Sequence, residues 1–155
     1  MSRRIAREQT ESPDFLSPFR HRLPLQLRFC DADRLGHVNN SVYQQFYDLG
    51  RLHYFMHVLG RPIDWDGVGV VLARVEIDFY RPLHVEEHAA VATLVPGEFR
   101  TAKSFETLQA IYNPDSGLVY SVGQSVMVGF DPSTGHSTEI LPEWWAVYLM
   151  PPSAL

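Results

Sequence analysis

Between Cys30 and Tyr43 the chain places Asp31, Asp33, Gly36, His37, Asn39 and Asn40 within ten residues. Carboxylates, an imidazole and two amides so close together can move protons and hold a polarised carbonyl. The run precedes an apolar stretch with helical spacing, so it leads into a helix start. The first turn of a helix presents unpaired backbone N–H groups and the positive end of the helix dipole. Such a place stabilises developing negative charge on a carbonyl oxygen. An aspartate beside it can attack as a nucleophile or activate water. Those are the two parts that acyl transfer needs. Gly36 lets the backbone come close to a ligand.

Each residue also has a plainer reading. Asp31 suits a turn or cap, and Asp33 shares that preference. Asn39 or Asn40 can be the helix N-cap or can face a substrate. His37 can be a hydrogen-bonded loop histidine or a catalytic one. His53 and His57 lie four apart, as do His84 and His88, but no His-Glu-x-x-His motif or third ligand accompanies them, so no metal site is expected. Gly67-Val68-Gly69 is too short for a dinucleotide fingerprint. P-loop and Gly-x-Ser-x-Gly motifs are both missing from the sequence, which counts against the α/β-hydrolase route. Arg51 reads as an ion-pair partner inside the helix rather than a substrate clamp.

The elements that must position these groups follow from periodicity. Leu23, Leu25, Leu27 and Phe29 alternate with polar residues and predict a half-buried strand. Residues 31–40 form the loop. From Ser41 to about Leu59, Tyr43, Phe46, Tyr47, Gly50, Tyr54 and Val58 recur at three- and four-residue steps, so a helix is expected, with Gly60 as its stop. Its apolar arc is wide enough to predict burial on several sides. Strand patterns follow over about 71–80, 89–95, 102–112 and 118–130, broken by Pro82, Pro96-Gly97 and Asn113-Pro114-Asp115-Ser116-Gly117. A short aromatic helical end begins at Pro142. One helix against one largely antiparallel sheet is an α+β domain.

Bulk properties narrow the partners. With 155 residues the chain suits one domain with a real core. Nine Phe, seven Tyr and three Trp exclude a wholly disordered chain. The formal charge of −5 argues against a nucleic-acid partner. No apolar run reaches the roughly 18 residues of a bilayer span, so no membrane partner is expected. Cys30 is the only cysteine, which rules out an intrachain disulfide. The basic start lacks an apolar signal segment, and a cytoplasmic location is expected. Residues 1–20, polar with Pro13 and Pro18, are expected to be a flexible tail outside the site, with a single domain over 21–150.

The run Asp-x-Asp-x-x-Gly-His-Val-Asn-Asn, followed by Tyr43 and an aromatic helix containing Arg51, resembles the hotdog-fold acyl-CoA thioesterases, in particular the 4-hydroxybenzoyl-CoA thioesterase branch. The His-Val-Asn-Asn part is also similar to plant acyl-carrier-protein thioesterases. The segment Arg74 to Leu83 resembles that family's second strand. The resemblance implies a long buried helix wrapped by an antiparallel five-stranded sheet. It implies that Asp33 is the catalytic carboxylate and that the thioester carbonyl meets a backbone N–H near Asn40. His37, Asn39, Asn40 and Tyr43 become substrate-binding candidates. In the 4-hydroxybenzoyl enzyme a tyrosine matches Asn40. The substrate implied is an acyl-CoA or acyl-carrier-protein thioester, the assembly a homodimer or homotetramer, and no cofactor is called for. A dehydratase or hydratase on the same fold, or a non-catalytic acyl-CoA or lipid binder, are the competing readings.

Overall fold

The structure, a computed structural model, describes residues 4–97 and 100–148. Residues 1–3 of the expected tail and 98–99 and 149–150 of the expected domain lie outside the described residues. A four-residue helix α1 (Arg7–Thr10) precedes strand β1 (His21–Leu25) and the long helix α2 (Asn40–Leu59). Strands β2 (Gly69–Phe79), β3 (Ala89–Leu94), β4 (Ser104–Tyr112), β5 (Val119–Asp131) and the short β6 (His136–Ser137) follow. The main sheet runs β1-β3-β4-β5-β2, with β6 added beside β5. Every paired neighbour is antiparallel. This is the expected α+β hotdog arrangement, one long helix on a curled five-stranded sheet, plus the two-residue β6.

Alternation along β3 and β4 divides the interior into two layers, because successive side chains point to opposite faces. Ala89, Val91 and Ile111 meet Val42, Phe46 and Tyr47 of α2. Ala90, Ala92, Ala110 and Tyr112 face the other way and meet Phe19. A third cluster joins Tyr54 and Phe55 to Phe105, Met127 and Trp144 at the far end of the helix.

The helix lies very close to the sheet at Gly50. A Cβ there would sit 2.9 Å from both Val91 Cγ1 and Gln109 Nε2. Arg51 continues the contact as a buried polar link. Its Nη1 donates to Gln109 Oε1 at 2.8 Å and Ser125 Oγ at 3.0 Å, and its Nη2 pairs with Asp48. Gln109 Nε2 in turn donates to the Tyr47 carbonyl and to Thr93 Oγ1, both at 3.0 Å. The ion-pair reading of Arg51 therefore holds.

Three expectations need correction. The first strand ends at Leu25 instead of running to Phe29, and Phe29 is 92% exposed. The chain turns there because Asp31 draws residues 28–31 into a 3₁₀ turn. The helix is buried over a wide arc from Val42 and Tyr47 to Phe55, but not all round; Leu49 is exposed. Residues 4–20, read as a tail, lie against the sheet: Phe19 is buried, and Ile5, Phe15 and Leu16 pack on the same cluster. Those anchors follow no regular period, so pattern reading passes over them. No helix among the described residues is long and apolar enough to cross a membrane.

Candidate active site

The loop before α2 is built on Asp31. Its carboxylate is buried and accepts from the Arg28 backbone N–H at 2.8 Å and from Arg28 Nη2 at 2.7 Å. The hydrogen bond from the Arg28 side chain holds the Asp31 carboxyl below its ordinary range, against the opposing effect of burial. The Asp31 carbonyl accepts from the Asn39 N–H at 2.8 Å, which ties the loop's start to its end. Asp31 is thus the cap that turn preferences suggest.

Asp33 is used differently. Its Oδ1 accepts from the N–H groups of Leu35, at 2.8 Å, and His37, at 3.2 Å. Its Oδ2 receives no hydrogen bond from the described residues. Gly36 adopts φ +77°, a left-handed turn conformation that favours glycine, and its N–H donates to the Asp33 carbonyl at 3.0 Å. The loop then closes against the sheet. Val38 N–H donates to the Leu83 carbonyl at 2.7 Å, and the His37 ring meets His84 edge-on at 4.8 Å.

Four of the five residues singled out from sequence share one cavity of about 260 Å³: Asp33, His37, Asn40 and Tyr43. Asn39 does not line it. Its Oδ1 accepts from the Ser41 N–H at 3.0 Å and the Ser41 hydroxyl at 2.9 Å, so Asn39 is the N-cap of α2. Asn40, the first helical residue, has no intrahelical acceptor for its N–H. Tyr43 is buried against Phe79, ring centroids 5.0 Å apart, and burial pushes its hydroxyl up to about 12. At neutral pH it is a neutral donor and not a base.

The sequence does not mark the other wall as part of the site. Phe79, Tyr80, Arg81 and Pro82, at and beyond the end of β2, complete the cavity. In the sequence these residues mark only the end of a strand at Pro82 and part of the segment that resembles the family's second strand. Which strand end faces which helix start is a matter of topology, not of spacing.

A second cavity of about 350 Å³ lies between α2 and the opposite end of β2. Phe55, Val70, Leu72 and Trp144 line it, with Asp48 and Arg51. Among the described residues no group of three His, Cys, Asp or Glu side chains is placed to hold a metal ion.

A family model described as the thioesterase-like superfamily matches residues 27–149. No curated protein matches the chain by sequence. Solved structures are similar at low identity. The PA5185 protein of Pseudomonas aeruginosa is 21% identical with a TM-score of 0.77, over 86% of this chain and 93% of that one. A thioesterase from Thermus thermophilus, complexed with coenzyme A and Zn, is 24% identical with a TM-score of 0.72, over 85% and 94%. A 1,4-dihydroxy-2-naphthoyl-CoA thioesterase from Synechocystis is 16% identical with a TM-score of 0.72, over 83% and 95%. At these identities the structures establish the shared fold.

Proposed function

The chain belongs to the thioesterase-like superfamily, and from that premise we propose that it hydrolyses an acyl thioester, with acyl-CoA as the substrate class and Asp33 as the catalytic carboxylate. One observation supports this reading above the rest. Asp33 is held by loop amides through one oxygen while the other receives no hydrogen bond from the described residues, in a cavity shared with the first residue of α2. Two of the structural neighbours named above are thioesterases, one of them holding coenzyme A and the other acting on a CoA thioester.

In this reading the thioester carbonyl oxygen accepts from the Asn40 N–H, at the positive end of the α2 dipole. Asp33 then acts by one of two routes. As general base it takes a proton from water, whose oxygen bonds to the carbonyl carbon. The tetrahedral intermediate collapses, the C–S bond breaks, and the thiolate leaves and gains a proton. As nucleophile its oxygen bonds to the carbonyl carbon, the thiolate leaves, and water cleaves the resulting mixed anhydride. Both routes need an ionised carboxylate at residue 33. His37 and Tyr43 serve to bind and orient. The test is thiol release from short, long and aromatic acyl-CoAs, followed with a thiol reagent. Turnover is expected; saturable binding with no thiol released contradicts the reading and favours a binder.

A homodimer belongs to the same proposal. Strand β2 is a sheet edge eleven residues long, with Val71, Leu72 and Phe79 exposed along it. Natural proteins cover such edges. The Asp33 cavity lies at the Phe79 end and the second cavity at the Gly69 end. Antiparallel pairing of two copies along β2 brings one copy's Asp33 cavity beside the other copy's apolar cavity, which suits an acyl group. Light scattering at micromolar concentration is expected to show a dimer or larger; an active 17.7 kDa monomer contradicts this assembly.

A further inference from the structure

The segment before β1 crosses the sheet face that α2 leaves open, and it reaches the wall of the Asp33 cavity. One end is anchored by packing. Phe19 sits on Ala90, Ala92 and Ala110, whose small side chains leave room for its ring. Arg22 Nη2 donates to the Leu16 carbonyl at 2.9 Å, fastening the segment to β1. The other end is anchored by polar contacts near the end of β2. Arg4 Nε lies 3.2 Å from Asp78 Oδ1, the Tyr80 hydroxyl donates to the Ile5 carbonyl at 2.6 Å, and Glu11 Oε1 meets Arg81 Nη2 at 2.5 Å.

Tyr80 and Arg81 are the cavity-wall residues that lie just past the last residue of β2. Both of their N–H groups point to the Tyr120 carbonyl, at 2.8 and 3.3 Å, so their backbone shares one acceptor. Their side chains are held elsewhere. Arg81 Nη1 donates to the Val119 carbonyl at 2.8 Å, and its second arm is held by Glu11. A guanidinium gripped at both arms keeps one orientation. Arg81 therefore borders both the N-terminal segment and the Asp33 cavity.

We propose that residues 4–20 form a strap that positions the Tyr80–Arg81 wall of the Asp33 cavity and so sets how tightly the thioester is bound, with Glu11 as a positioning residue acting through Arg81. The proposal rests on the thioesterase reading. The strap residues do not line the cavity. Loosening the strap therefore weakens binding of ground state and transition state alike, which raises KM and leaves kcat alone.

The test compares full-length protein with Glu11→Gln, Glu11→Asp and Asp14→Asn, together with a chain lacking residues 1–18. Glu11 is half exposed, so Glu11→Gln leaves the fold intact. An ion pair of this kind supports a KM increase of about two- to five-fold in Glu11→Gln, with kcat within about twofold. Glu11→Asp restores part of the loss, and Asp14→Asn, an exposed strap residue with no contact to the wall, changes nothing. The truncated chain shows a larger KM increase than Glu11→Gln. Hydrogen exchange supplies a readout free of turnover: the amides of residues 79–81 and 83 exchange faster in Glu11→Gln and in the truncation. An unchanged KM and unchanged exchange in Glu11→Gln, in protein whose parent turns over acyl-CoA, overturn the strap. Should the truncated chain fail to fold, Glu11→Gln decides alone. A parent that releases no thiol from any acyl-CoA contradicts the thioesterase reading itself.

Discussion

Asp33 and His37 hold each other across the turn that precedes α2. The Asp33 N–H donates to the His37 carbonyl at 2.7 Å, and the His37 N–H donates back to Asp33 Oδ1 at 3.2 Å. The carboxylate thus shapes the loop with Oδ1, while Oδ2 receives no hydrogen bond from the described residues and Asp33 lines the cavity. An asparagine at this position can keep the loop contact through its own oxygen. It cannot take a proton or attack a carbonyl as a carboxylate does. Shape and chemistry at residue 33 are therefore separable by a single substitution.

Asp31, two residues away, is expected to matter for stability and not for turnover. Asp31→Asn removes the buried carboxylate that accepts from the Arg28 N–H and from the exposed Arg28 side chain, at a cost of about 1–3 kcal/mol. The folded-state carboxyl titrates below its ordinary 3.8. Its stabilising contribution is thus complete above about pH 4 and lost as pH falls through the lower folded value. Urea unfolding at pH 7 and pH 3 is expected to show a smaller difference between parent and Asp31→Asn at the lower pH. An equal difference at both pH values contradicts this assignment.

His21 carries a second pH effect. It is fully buried, its Nε2 lies 2.7 Å from His53 Nδ1, and its Nδ1 has no hydrogen-bond partner among the described residues. Burial first, then the nearby His53 and His57, lower it to about 4; Tyr54 packs edge-on to its ring. The neutral form is the one the fold accepts. Stability from this group is therefore full above about pH 6.5 and falls as pH drops towards 4, by up to about 3 kcal/mol. His21→Gln is expected to flatten the slope of unfolding free energy against pH between 6.5 and 4. A slope equal to that of the parent contradicts the prediction.

Much of the fold was legible because its signals are local. Tyr43, Phe46, Tyr47 and Gly50 recur at helical spacing, and their buried face is the one that meets the sheet. Asn39 and Gly60 mark the two ends of α2, with Gly60 at φ +67°. The association of Asp33, His37, Asn40 and Tyr43 was legible because one loop and one helical turn carry all four. What escaped was non-local. Phe29 continues the alternation of β1, yet the Asp31 turn removes it from the strand. Phe79 to Pro82 reach the cavity only because β2 ends beside the start of α2. Ile5, Phe15, Leu16 and Phe19 form an apolar set only once the small alanines of β3 and β4 lie beneath them.

Gly50 tests the closeness of helix and sheet. Gly50→Ala improves helix propensity but drives a methyl group into Val91 and Gln109. Overpacking of this kind costs about 1–3 kcal/mol, more than the propensity gain. Thermal unfolding is expected to show a lower Tm than the parent. A Tm raised by the substitution contradicts the packing described here.

The most direct measurement is steady-state thiol release by Asp33→Asn beside Asp31→Asn, each checked for folding by circular dichroism. The account predicts that Asp33→Asn lowers kcat by roughly 10²–10⁴-fold, the usual worth of a catalytic base, while KM stays near the parent value. Asp31→Asn keeps most of its turnover despite its lower stability. Folded Asp33→Asn protein that retains parental kcat, with Asp31→Asn inactive, would place the chemistry on the other aspartate and contradict the central claim.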